Sequence, residues 1–90
     1  MFLHVGRGKS IKKKDIIGIF DLDTATVSRH TKRLMNRMTK EGRVTYMDTD
    51  LPRSFVLSVD TDGEHMELSR ISSTGLYARL TEGYDIAKEY

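Results

Sequence analysis

Residues 15–30 read Asp15-Ile16-Ile17-Gly18-Ile19-Phe20-Asp21-Leu22-Asp23-Thr24-Ala25-Thr26-Val27-Ser28-Arg29-His30, and the change of pattern inside them decides the fold. Ile16 to Phe20 is almost continuously apolar and rich in β-branched side chains, which predicts a strand buried on both faces. Asp21 to Thr24 then break the run. From Ala25 to Lys40 the period changes: at about 100° per residue, Val27, Thr31, Leu34, Met35 and Met38 share one side, and Arg29, Lys32, Arg33, Arg37 and Lys40 gather on the other. That spacing predicts an amphipathic helix over 25–40 with a basic outer face. Asp23 or Thr24 suits its N-cap, and Gly42 suits a left-handed C-terminal cap.

Working outward, Phe2-Leu3-His4-Val5 is a short β-prone run stopped by Gly6-Arg7-Gly8, and a basic stretch from Lys9 to Lys14 follows. Arg43 to Met47 and Ser54 to Val59 predict two more strands, separated by a loop that holds Pro52. Asp60-Thr61-Asp62-Gly63 is a hairpin turn leading into His65 to Ser69. Ser72-Ser73 can cap a short helix over 74–80, and 81–90 forms a polar, weakly patterned tail expected to fray. The expected fold is therefore α+β, a small antiparallel sheet in the order β-β-α-β-β-α with one main helix packed on it. Val27, Leu34 and Met38 are expected to pack against Ile17, Ile19 and Val56.

Composition narrows the function. The 90 residues contain no Cys, no Trp and one Pro, with 38% hydrophobic and 31% charged residues, as suits one small domain, set at residues 1–80. Without cysteine there is no disulfide, no thiol nucleophile and no Cys-based zinc site. Met1 to Arg7 reaches a charge too soon for a signal peptide or a membrane span, so a cytoplasmic protein is expected. Net charge is +2, but residues 1–45 carry 11 Lys/Arg and 4 Asp/Glu whereas residues 46–90 carry 4 and 9. Such an asymmetry can turn a basic surface toward a polyanion.

Several motif-like stretches fail on spacing. Gly8-Lys9-Ser10 lacks the first glycine of a P-loop, whose place is taken by Leu3, and Asp60-Thr61-Asp62-Gly63-Glu64 lacks the length and flanking helices of a calcium loop. His4, His30 and His65 have no metal-ligand spacing, and no serine sits in a nucleophile-elbow pattern. No catalytic residue, metal, cofactor or small-molecule substrate is expected.

Thr26-Val27-Ser28-Arg29 also looks like the start of a recognition helix in repressor-type helix-turn-helix domains, which would bring Thr26, Ser28 and Arg29 to base edges. Against it, the glycine usual in the inter-helix turn falls at Asp21, and the first helix of the motif would have to be the Ile-rich run.

Three separated segments carry a wider likeness: Lys14-Asp15-Ile16-Ile17-Gly18-Ile19-Phe20-Asp21-Leu22, Leu51-Pro52-Arg53-Ser54-Phe55-Val56-Leu57, and Leu68-Ser69-Arg70-Ile71-Ser72-Ser73-Thr74-Gly75-Leu76. In order and spacing they resemble the extracellular matrix regulatory proteins of Gram-positive bacteria, the RemA/RemB family, and most closely its RemB branch. The resemblance runs nearly through Leu80. It implies a cytoplasmic, nucleoid-associated regulator that activates biofilm matrix genes, with a LytTR-like domain assembled into a homo-oligomeric ring whose outer surface holds double-stranded DNA. On that view Lys12, Lys13, Lys14 and Arg53, with Arg7 and Lys9 close by, contact phosphates. Arg29, Lys32, Arg33 and Arg37 form a second basic face that meets DNA, a neighbour's acidic half, or solvent. The alternative from another class is an oligomeric protein-interaction adaptor that does not bind DNA.

Overall fold

The computed structural model describes residues 2–6, 8–25, 28–47 and 51–82. Two strands, β1 (Phe2–Gly6) and β2 (Lys9–Lys12), form an antiparallel hairpin, and a 3-10 turn (Lys13–Asp15) leads into β3 (Ile16–Asp21). A one-turn helix α1 (Leu22–Ala25) and the main helix α2 (Arg29–Lys40) follow, then β4 (Val44–Tyr46), β5 (Ser54–Asp60), β6 (Gly63–Ser69) and α3 (Ser73–Glu82). The class is α+β, as expected, but the sheet is not purely antiparallel. Its order is β3-β5-β6-β4, with β4 running parallel to β6 at the edge.

Three sequence expectations are corrected. The lysine-rich stretch contains a strand: Ile11 pairs with Leu3 across the hairpin and is buried, while Lys9, Ser10 and Lys12 stay exposed. The helix does not run from Ala25. Asp21 Oδ1 accepts from the N–H groups of Asp23 (2.8 Å) and Thr24 (3.2 Å) and so starts α1, whereas α2 begins at Arg29 with Ser28 as its N-cap residue. Finally, β3 lies at the sheet edge and is not buried on both faces: Ile17, at a bulge between Ile16 and Gly18, is 56% exposed and Phe20 is 39% exposed. With β3 extended, the helix-turn-helix reading has no first helix. Thr26, Val27 and Arg7, as well as residues 83–90 of the tail, lie outside the described residues.

The central strands separate two apolar layers because alternate side chains leave a strand on opposite faces. On one face α2 lays Met38, with Leu34 and Met35, over Phe55, Met66 and Leu68. On the other, the β1–β2 hairpin and α3 bring Leu3, Val5, Ile11 and Leu76 onto Ile19 and Val56. The expected pairing of α2 with Ile19 and Val56 is thus replaced by one with Phe55, next to Val56 in sequence, and with Met66 and Leu68 of β6. The second layer is held by polar contacts as well: Ser69 Oγ donates to the carbonyl of Val5 (2.7 Å), and Arg79 Nη1 to that of His4 (3.2 Å).

The turns follow their local chemistry. Gly42 takes a left-handed φ of 73° at the end of α2, and the Ser72 hydroxyl accepts from the N–H of Gly75 (3.1 Å) at the start of α3. Gly63 closes the β5–β6 turn with φ 112°, where an added Cβ would stand 2.8 Å from Arg43 Nη1. That guanidinium nitrogen donates to the carbonyls of Asp62 (3.1 Å) and Glu64 (3.0 Å), pinning the turn to the start of β4.

Candidate functional site

The hairpin and the 3-10 turn bring lysines to one edge of the molecule. Ile11 points inward, so Lys12 points out, and the turn that follows sets Lys14 beside it at the end of the sheet where β5 meets β6. Lys9, Lys12 and Lys14 line a cleft of about 590 Å³ together with Phe2, Asp60, His65 and Glu67. Ammonium groups on flexible stems suit contacts with phosphate oxygens, as point charges rather than as readers of base edges.

The other expected contacts do not converge there. Lys13 is half-buried and donates through Nζ to the carbonyl of Leu80 (3.0 Å), tying the 3-10 turn to α3. Arg53 lies at the opposite end of β5, where its peptide N–H donates to Ser69 (2.8 Å) and its carbonyl accepts from Leu22 (3.0 Å). The exposed cations of α2 are on the far face of the sheet.

Sequence reasoning missed the acidic side of the cleft. Asp60 Oδ1 lies 3.0 Å from His65 Nε2 and accepts the N–H of Asp62 at 2.8 Å. These contacts, the backbone one first, hold its carboxyl below the usual range. Glu67 is only 5% exposed, and its Oε1 has no hydrogen-bond partner among the described residues. Burial pushes its carboxyl above the usual range, against the smaller opposing pull of Lys9 and His65. Nothing in a lone Glu within an alternating strand marks it as buried. Its face is covered only because the distant hairpin folds over it.

A measurable consequence follows. A folded-state value raised above the unfolded one means the folded chain holds the proton longer, so the associated stability is present below the ordinary carboxyl value and is lost as pH rises through the raised one. Glu67→Gln is accordingly expected to be more stable than the parent at pH 8, by about 1 kcal/mol or roughly 4–8 °C in Tm, with the gain vanishing near pH 4. Thermal melts of both proteins at the two pH values check it; a gain that persists unchanged at pH 4 contradicts the assignment.

Fold and site together define a small α+β domain, with a sheet covered on both faces, that gathers lysines around a cleft at one edge. The family model for RemA-like proteins, described as extracellular matrix regulatory protein A-like, matches residues 2–80, and the chain belongs to that family. Membership carries a role in extracellular matrix regulation. A search of curated proteins finds no match. Among the described residues no helix is long and apolar enough to cross a membrane.

Proposed function

We propose that this chain is a DNA-binding transcriptional regulator of extracellular matrix genes, acting in the cytoplasm on the nucleoid as a LytTR-like homo-oligomeric ring. The observation that carries the proposal is the convergence of Lys9, Lys12 and Lys14, all exposed, on one edge of the domain. Three cations per protomer give weak binding alone. A ring that aligns several such edges along one duplex raises the effective concentration of each successive contact, so affinity grows with subunit number while DNA spacing and bending set selectivity.

The test is binding to a labelled duplex of about 60 base pairs over a salt series, with the mass of the same sample measured by light scattering. Each neutralised phosphate contributes about −0.9 to the slope of log K against log salt, so one protomer's three lysines account for about −3. A steeper slope, from a sample with oligomeric mass, is the expected result. Lys9→Gln/Lys12→Gln/Lys14→Gln should flatten the slope and lower affinity for all sequences alike, because phosphate contacts carry no base information. A folded oligomer that binds no duplex at low salt would turn the assignment to a protein-interaction adaptor.

A further inference from the structure

The outer face of α2 is uniformly basic. Over Arg29–Lys40 the helix has no acidic residue, and Arg29, Lys32, Arg33, Arg37 and Lys40 are all exposed. Arg37 alone of these is drawn into ion pairs among the described residues, with Glu64 at 3.1 Å and Glu41 at 3.4 Å. Arg29, Lys32 and Arg33 stand in the first half of the helix, where the macrodipole disfavours positive charge. A polyanion partner compensates that cost.

Among the described residues of the C-terminal half, the chain's own acids supply little of that partner. Of the acidic residues in the C-terminal half that are described with their side chains, Asp60 is bonded to His65, Glu64 to Arg37, and Glu67 is buried, which leaves Asp62. Among those described residues a second copy therefore offers only Asp62 to match three exposed cations.

The position of the face matters as much as its charge. α2 packs on Phe55, Met66 and Leu68, while the hairpin carrying the lysine cleft packs on the opposite layer with Ile19 and Val56. Each layer stands about 10 Å from the sheet, so α2 and the hairpin lie on opposite sides of it, roughly 20 Å apart. The α2 face and the lysine cleft are thus separate basic surfaces.

We infer that the α2 face, through Arg29, Lys32 and Arg33, holds a second segment of double-stranded DNA, so that the protein bridges two duplexes. The face extends about 18 Å, half of one turn of B-DNA, and its contacts are to phosphates. The inference rests on the DNA-binding reading above, and its experiment separates the two.

Protein is added to a duplex fixed on beads, and capture of a second, fluorescent duplex is read alongside solution affinity for a single duplex. Wild type captures the second duplex. Arg29→Gln/Lys32→Gln/Arg33→Gln, whose exposed positions and helix-favouring glutamines leave the fold intact by circular dichroism, should reduce capture at least about tenfold while single-duplex affinity stays within about threefold. Capture equal to wild type by that variant overturns the inference, as does wild type that binds one duplex and captures none. A parallel loss of single-duplex affinity also overturns it, by making α2 part of the primary surface. Wild type that binds no duplex at all refutes the DNA-binding reading itself.

Discussion

Phe55→Ala should remove about 3–5 kcal/mol of stability, the range for an aromatic ring deleted from a close-packed core. Phe55 is 2% exposed in the inner strand β5 and lies among Met38, Met66 and Leu68, so the cavity opens directly beneath α2. It also stacks on Phe20, its partner in register, with ring centroids 5.0 Å apart and planes inclined by 25°. Loss of that contact adds to the transfer and cavity contributions. For a 90-residue chain the total is about 5–14 kcal/mol at the usual per-residue stability, so this change removes a large part of it. Urea unfolding checks the value: the midpoint should fall sharply with the slope unchanged, and a loss below about 1 kcal/mol would contradict the packing of the α2 layer.

Leu3→Ala should be nearly as damaging, at about 2–5 kcal/mol. Leu3 is fully buried in β1, where it pairs with Ile11 and packs in the layer of Val56 and Leu76. Its consequences extend to function because the same hairpin carries Lys9 and Lys12. Under conditions where the variant stays folded, a displaced hairpin should weaken DNA binding although no cation has been removed. Ser69→Ala, which deletes the hydroxyl holding the Val5 carbonyl, acts on the same seam, and a double-mutant cycle with Leu3→Ala should be non-additive. Additive losses would mean that the hairpin is not seated as one unit.

Much of the fold is legible in local pattern because local pattern is what fixes it. The Asp60–Gly63 turn, the left-handed Gly42, the Ser72 cap and the strand at Ile16–Phe20 are each specified by residues within a few positions. What escaped was set by distant partners. β2 is a strand because β1 offers Leu3 opposite Ile11, not because lysines favour strands. The parallel placement of β4 beside β6 depends on the path taken by α2, and no periodicity within Val44–Tyr46 records it. The site shows the same division. A run of three lysines is visible in the sequence, but only the fold turns Lys13 back onto Leu80, carries Arg53 to the far end of β5 and buries Glu67 under the hairpin.

The contacts that seat the hairpin span nearly the whole chain: Ser69 to Val5 across 64 residues, Lys13 to Leu80 across 67, and Arg79 to His4 across 75. During synthesis the hairpin is therefore made before the elements that cover it. At about 5–20 residues per second, the ribosome needs roughly 3–14 s to travel from β2 to the residues that receive it. Closing so long a loop also places this chain among slower folders for its size, since distant contacts must be reached before they stabilise anything. For those seconds Leu3, Val5 and Ile11 have one another but lack Val56 and Leu76, and the lysines around them help keep the nascent segment apart from its copies on neighbouring ribosomes.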